Sequence, residues 1–182
     1  LSKRLIFFRG MVMTVVHFIS TTPEFKYMHM ISVLSAIANQ NATKVCMWVN
    51  KEPTSIYWQR VKPLVEIHPF DIPELAALHN KSAEFIAAHV KDYMTWKIIY
   101  TCGGMVLDLD TISVKDSTHW TDEMPSKLIV SLDVEDPNSI PFPYNSSVVM
   151  SAKPLLDIAE SLKYFATNLM NQEMTWGLSG PI

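Results

Sequence analysis

Two aspartates, Asp108 and Asp110, end an apolar run in the stretch GGMVLDLDT, residues 103–111. In a β-strand, residues two positions apart point to the same side, so both carboxylates would share one face with Val106. Two ionised carboxylates held side by side repel each other unless a cation lies between or beside them. Carboxylate oxygens are hard ligands that favour Mg²⁺ or Mn²⁺ over zinc. The pattern predicts a divalent-cation site, and the alternative is an exposed strand end whose aspartates cap the following turn.

The elements around this pair predict an α/β fold. Continuous β-branched runs indicate buried strands, and apolar side chains spaced by three and four residues indicate helices. Strand, helix and strand at these lengths form a βαβ unit, which implies a mostly parallel central sheet flanked by helices. In such a sheet, ligands bind beyond the carboxyl ends of the strands, where the two aspartates would lie. The predicted strands are 14–20, 44–50, 64–71, 105–110, 126–134 and 146–152, and the predicted helices are 28–40, 83–101 and 154–170.

The helix over 83–101 has the clearest pattern in the sequence, a stripe of mainly aromatic side chains at steps of three and four. We interpret its aromatic residues as core residues. Its histidine fits a packing role in the core at least as well as a role in ligand binding. Gly103 and Gly104 end this helix, because glycine adopts the positive φ of a helix terminus without steric cost. The stripe consists of Phe85, His89, Tyr93, Trp96 and Tyr100.

Composition indicates one globular domain. The chain has 182 residues, 48% of them hydrophobic, and a net charge of -3 without a run of Lys or Arg, which argues against a nucleic-acid-binding protein. Cys46 and Cys102 lie inside apolar runs and are interpreted as buried free thiols, with a disulfide as the alternative. Residues 1–13 form an apolar and basic segment that is interrupted by Arg9 and is too short to span a bilayer. The predicted domain therefore covers 14–182.

The stretch HVKDYMTWKIIYTCGGMVLDLDTISVKD, residues 89–116, resembles the DxD core of the sugar-binding-region glycosyltransferases. The likeness is greatest to the animal α-1,4-galactosyltransferases and α-1,4-N-acetylglucosaminyltransferases. VVHFIST, YNSSVVMSAKP and WGLSGPI resemble further segments of that family in the same order, so the resemblance runs from about residue 14 across most of the chain.

The resemblance implies a GT-A type nucleotide-sugar-binding fold and a metal-dependent hexosyltransferase. The donor would be a UDP-sugar, the cofactor Mn²⁺ or Mg²⁺ at the DxD, and the product an α-linkage formed with retention. A hexose or N-acetylhexosamine, galactose above all, would pass to the glycan of a glycolipid or glycoprotein. The resemblance also implies a type II membrane protein of the Golgi lumen, anchored to the membrane through a segment that is not clearly present in this chain.

Roles for single residues follow from the same resemblance. Asp110 matches the metal-ligating second Asp of the DxD, and Asp108 the first, which serves ribose or metal-bound water. Asp92 matches an aspartate that helps hold the donor sugar, so these three are the predicted catalytic residues. His17, on an apolar strand, is either a core histidine or a nucleotide contact. The predicted nucleotide-sugar site comprises His17, Asp92, Gly103, Gly104, Asp108 and Asn145, and the predicted acceptor side comprises Trp176, Gly177 and Gly180.

The chain also departs from the family pattern. Lys91 stands where the family has Ser, Thr95 where it has Arg, and Val106 where it has Tyr. The family continues past the position of Ile182, so the domain would be incomplete at its C-terminus. These departures leave a catalytically inactive nucleotide-sugar-binding relative, or a fragment of such an enzyme, as an alternative. A third reading is a toxin-like enzyme that glucosylates a protein, because such toxins share the Ser-Asp and DxD patterns.

Overall fold

The computed structural model describes residues 14–71, 83–120, 128–132, 144–160 and 162–163. Within these ranges strands and helices alternate, as the sequence predicts. The strands are β1 Val15–Ser20, β2 Lys44–Val49, β3 Glu66–Pro69, β4 Gly104–Leu107, β5 Ile129–Leu132 and β6 Tyr144–Ser151. The helices are α1 Tyr27–Asn39, α2 Ile56–Val61 and α3 Ala83–Thr101, with short 3₁₀ turns at Lys62–Leu64 and Leu156–Ile158.

The six strands form one sheet in the order β3-β2-β1-β4-β6-β5. β3, β2, β1 and β4 are parallel, whereas β6 is antiparallel to both β4 and β5. From β1 the chain passes through α1 to β2 and β3 on one side, and then returns through α3 to β4 on the other side. The strand order therefore reverses between β1 and β4, which is the position where open α/β sheets bind ligands.

Each face of the sheet carries its own apolar core. α1 and α2 cover one face, where Phe18, Met47 and Trp58 are buried, and α3 covers the other, where Ile19 and Val106 are buried. Residues of β1 alternate between these two cores, as strand geometry requires. Burial on both faces explains why β1, β2 and β4 have continuous apolar sequences rather than alternating ones. The predicted mostly parallel α/β sheet is confirmed.

α2 is an element that the sequence patterns do not predict, because six residues are too few to show a helical period. Its cap is clear in the structure. The Ser55 hydroxyl accepts a hydrogen bond from the Trp58 backbone N–H at 3.2 Å and donates one to the Phe25 carbonyl at 2.7 Å. The Trp58 ring is fully buried against the sheet and anchors α2 there.

β4 is shorter than predicted and ends at Leu107. The Asp108 backbone N–H still donates to the Ser147 carbonyl at 2.9 Å, but the chain then turns, with the Thr111 N–H on the Asp108 carbonyl at 3.0 Å. The prediction that Asp108 and Asp110 share one strand face is therefore wrong: they belong to a turn that follows the strand.

Both cysteines are free, but Cys46 is buried while Cys102 is exposed, because Cys102 follows the last turn of α3.

In the part of the chain that the structure describes, no helix combines the length and the apolar character needed to cross a membrane. The prediction of a membrane-anchored protein of the Golgi lumen is wrong on that finding. Residues 1–13, residues 161 and 164–170 of the predicted helix 154–170, and the predicted acceptor-side residues Trp176, Gly177 and Gly180 lie outside the described residues.

Candidate functional site

A cleft of about 260 Å³ opens at the C-terminal edge of the sheet, where the strand order reverses. The end of β1, the first half of α3 and the turn after β4 form its walls, and α1 contributes one side chain. Two small alanines on α3 keep that wall close to the backbone and leave room above the turn. The cleft is lined by Ile19, Thr21, His29, Ala87, Ala88, Lys91, Asp108, Leu109 and Asp110.

The turn that carries the two aspartates is held by a buried serine of α1. Ser32 is fully buried, and its hydroxyl lies 2.6 Å from the Thr111 carbonyl and 3.2 Å from the Asp108 carbonyl. Together with the bonds to Ser147 and within the turn, this contact satisfies backbone groups that burial would otherwise leave unpaired. The backbone of Asp108 is therefore positioned by the fold itself.

The segment after the turn, residues 111–118, has no helix or strand. It is held in place by hydrogen bonds to the polar side of α1. Asn39 Nδ2 donates to the Ser113 carbonyl at 2.8 Å, and the Ser113 N–H donates to Ser35 Oγ at 2.9 Å. Gln40 Oε1 accepts from both the N–H and the hydroxyl of Ser117, each at 3.0 Å. Sequence patterns mark these α1 residues only as a polar helix face, so their partners were missed.

Lys91 links two of the three predicted catalytic aspartates. Its Nζ lies 2.6 Å from Asp108 Oδ1 and 3.7 Å from Asp92 Oδ1. Burial raises the pKa of the Asp108 carboxyl, and the Lys91 ammonium opposes this by stabilising the charged form. The structure thus places a cation beside the first Asp of the DxD. Sequence reasoning singled out Lys91 only as a departure from the family pattern.

The structure brings Asp92, Asp108 and Asp110 to one region, with Asp110 exposed in the cleft and Asp108 half-buried. Carboxylate oxygens are the donors that Mg²⁺ and Mn²⁺ prefer. Lys91 contacts one oxygen of Asp108, and a carboxylate has two that can accept. The donor set of Asp108 and Asp110 therefore fits a hard divalent cation.

Gly103 precedes β4 and Gly104 is its first residue, so both lie at the end of the strand opposite to Asp108, roughly 13 Å or more away. Their backbones have φ of +68° and +92°, which side chains rarely adopt. The Gly103 N–H donates to the carbonyls of Ile98 and Ile99, which ends α3, and the Lys153 backbone packs directly against Gly103. The structure accounts for both glycines through the α3–β4 junction and does not bring them into the cleft.

Asn145 lies near the start of β6, three residues before Val148, which pairs with Leu107 at the end of β4. Because β6 is antiparallel to β4, the Asn145 backbone lies beyond the C-terminal end of β4. It is therefore on the same edge of the sheet as Asp108, while its side chain lies outside the described part of the structure.

His17 is buried in the α3-facing core rather than in the cleft. Its Nδ1 accepts a hydrogen bond from Trp48 Nε1 at 3.1 Å, and its Nε2 side faces Gly104. Burial lowers the pKa of His17 to about 4, so the imidazole is neutral at physiological pH. Of the two readings that the sequence left open, this location favours the core histidine.

The pKa of His17 predicts acid sensitivity. The unfolded chain takes up this proton near pH 6.5 and the folded chain only near pH 4, so stability should fall as pH drops between those values. A shift from 6.5 to about 4 is worth about 3 kcal/mol at most. His17→Gln, which keeps an acceptor for Trp48, should lose less stability over this window in urea unfolding at pH 7, 5.5 and 4. The exposed His119→Gln is the control, and parallel losses in parent and His17→Gln would contradict the assignment.

Position 95, where the resemblance anticipates an arginine, does not open on the cleft. Thr95 is 0% exposed, and its hydroxyl donates to the Lys91 carbonyl at 2.9 Å. Lys91, one turn earlier on the same helix, does line the cleft. The helix therefore presents its cation to the cleft from a different position.

A second group of ligand-type side chains, Cys46, Glu66 and His68, lies on β2 and β3, with their ligand atoms within 4.8 Å of one another. Glu66 is already paired with Lys44 at 2.7 Å and with His68 at 3.0 Å. Burial raises the pKa of the Cys46 thiol to about 11, which keeps it protonated. We assign no metal to this group, which lies away from the cleft.

The sequence matches no protein-family model and no curated protein. Among solved structures, the fold is similar to that of the PaToxG glycosyltransferase, with a TM-score of 0.62 and 17% identity over 93% of this chain and 66% of that chain. It is also similar to the galactosyltransferase LgtC, solved with donor and acceptor sugar analogues, with a TM-score of 0.50 and 14% identity over 91% of this chain and 68% of that chain. The chain thus spans about two thirds of each of these proteins and has their GT-A fold.

Proposed function

We propose that the protein is a metal-dependent glycosyltransferase that takes a sugar from a UDP-sugar donor. The transferred sugar would be a hexose or N-acetylhexosamine, with galactose first, and the acceptor the glycan of a glycolipid or glycoprotein. Transfer would retain the anomeric configuration and form an α-linkage. The fold is compatible with this activity, and the resemblance around Asp108 and Asp110 supports the choice of donor, linkage and acceptor.

The observation that carries the proposal is the turn after β4, which presents Asp108 and Asp110 to a cleft at the reversal of strand order. Asp108 and Asp110 would hold Mn²⁺ or Mg²⁺, which when bound stabilises the negative charge that develops on a leaving nucleoside diphosphate. The Ser32 hydroxyl binds the Asp108 and Thr111 carbonyls, which holds the backbone of this turn in place. Preorganisation of this kind is what electrostatic catalysis requires.

The resemblance gives proposed roles to the remaining predicted residues, except for those that the structure places in the core or at the α3–β4 junction. Asp92 would help hold the donor sugar and lies close to Lys91. Asn145 would line the sugar side of the cleft from the start of β6. His17, Gly103 and Gly104 would act indirectly, through the core and the α3–β4 junction described above. Trp176, Gly177 and Gly180 would form the acceptor side.

Metal dependence gives the first test. We expect UDP to bind at least about tenfold more tightly with Mn²⁺ than with EDTA in calorimetric titrations, as the loss of a strong charge-assisted contact implies. Asp110→Asn should abolish that difference and, because Asp110 is exposed, should leave the melting temperature nearly unchanged. The exposed Asp157→Asn serves as a matched control. Equal affinity of the parent for UDP in Mn²⁺ and in chelator would refute the metal assignment.

Activity itself is tested by release of UDP from UDP-galactose and related UDP-sugars with Mn²⁺, first with water as the acceptor. Glycolipid, glycan and protein acceptors are then compared, because the toxin-like reading predicts a protein acceptor. Tight UDP binding without any release would instead indicate a catalytically inactive nucleotide-sugar-binding relative. The burial of Thr95, at the position where the family has arginine, favours this second candidate, since the cation expected from the family is missing there.

A further inference from the structure

The charge balance of the cleft presents a problem for a diphosphate ligand. Two of its lining residues are carboxylates, Asp108 and Asp110, and Asp92 lies close behind. Burial lowers the pKa of His29, the histidine of the lining, which disfavours its charged form. Among the described lining residues, Lys91 therefore carries the positive charge that a diphosphate can meet.

The position of Lys91 suits that contact. Its side chain is 18% exposed and reaches from α3 to the turn after β4, past the small side chains of Ala87 and Ala88. An ammonium has three N–H donors on a flexible side chain, so Lys91 can turn from the Asp108 carboxylate to a phosphate oxygen nearby. Asp92 Oδ1, at 3.7 Å, is too far for a hydrogen bond and acts on Lys91 as a neighbouring charge.

Lys91 and a divalent cation would compete for Asp108. The ammonium lies 2.6 Å from Asp108 Oδ1, and two cations that share one carboxylate repel each other. A cation bound at Asp108 and Asp110 would weaken the hold of Asp108 on Lys91. With its contact to Asp108 weakened, the Lys91 ammonium could then contact an anion in the same cleft.

We propose that Lys91 is a donor-diphosphate-binding residue that exchanges its ion pair with Asp108 for the diphosphate when a divalent cation binds. The inference rests on the proposed function and deepens it. In this scheme Lys91 weakens binding of the metal alone and strengthens binding of the nucleotide. Each ligand therefore promotes binding of the other, as linkage requires.

The test uses Lys91→Met and two binding measurements that need no turnover. Free Mn²⁺, followed by electron paramagnetic resonance without nucleotide, should show severalfold tighter binding, because the competitor for Asp108 is gone. UDP titrated in saturating Mn²⁺ should bind roughly tenfold or more weakly, the effect of losing one charge-assisted contact. Lys97→Met is the matched control, since Lys97 is exposed on the same helix and does not line the cleft; it should change neither affinity.

Opposite shifts of the two affinities would support the proposal, because partial unfolding lowers both. Unchanged affinities, or a decrease in both, in a folded Lys91→Met protein would overturn it and leave the proposed function standing. If the parent fails to bind UDP with Mn²⁺, both proposals fail. Removing Lys91 also leaves Asp108 without its ion-pair partner, so thermal melts come first. If Lys91→Met does not fold, Lys91→Gln, which removes the positive charge but keeps a polar side chain, replaces it, and both affinities should shift in the same directions.

Discussion

Replacing Gly104 by alanine should destabilise the protein by about 3 kcal/mol or more, through backbone strain and overpacking together. A Cβ at this position would lie 2.6 Å from the Val15 carbonyl oxygen and 2.9 Å from His17 Nε2. The backbone φ of +92° is itself unfavourable for alanine. Neither obstacle can move cheaply, because one is the backbone of β1 and the other is a buried ring. Urea unfolding at pH 7 measures the loss.

The control for this substitution is Cys102→Ala, two residues earlier at an exposed position of the same junction. It should change stability by no more than about 0.5 kcal/mol, as surface substitutions usually do. If Gly104→Ala unfolds at the same urea concentration as Cys102→Ala, β4 does not approach β1 as closely at Gly104 as described here.

Thr95→Arg should cost about 4 kcal/mol, within the range for an uncompensated buried charge. Thr95 is a residue of α3 that is 0% exposed, and its hydroxyl is already bonded to the Lys91 carbonyl. The guanidinium would also overfill the core that contains Met94 and Ile98. We therefore expect a lower melting temperature and no gain in UDP affinity, although the family pattern has arginine here.

Lys97→Arg, on the exposed side of the same helix, is the matched control and should leave the melting temperature nearly unchanged. A Thr95→Arg protein that melts like the parent and binds UDP more tightly would show that position 95 reaches the cleft. That result would also remove the reason to treat Lys91 as the substitute cation.

Much of the fold was predictable because its elements have strong local signals. β1, β2 and α1 differ from the predicted bounds by about one residue, since continuous apolar runs and helical spacing coincide there with actual burial. The end of β4 was not predictable in the same way. In Met-Val-Leu-Asp-Leu-Asp, the apolar run and the two-residue spacing of the aspartates are typical of a strand. The turn at Asp108 is instead imposed by Ser32 and Ser147, which are distant in sequence.

The candidate site was predictable only in its carboxylates. A short pattern identifies Asp108 and Asp110, and their location beyond a strand end follows from the α/β alternation. The partner of Asp108 could not be found in this way, because Lys91 belongs to another element and no spacing rule connects a helix residue to a later turn. Likewise, the burial of Thr95 could not be predicted, because the aromatic stripe that marks the core side of α3 in the sequence does not include position 95.

The hydrogen bonds between residues 111–118 and α1 affect the order in which the chain folds. The hydrogen bonds of Ser32, Ser35, Asn39 and Gln40 to this segment join residues 74 to 79 positions apart. Such bonds raise the contact order, and the loop they close must lose its conformational freedom before they form. We therefore expect them to form late, together with the docking of β4 beside β1, so that the aspartate turn is among the last parts to be completed. In a nascent chain that ends before this segment, the polar side of α1 lacks these partners.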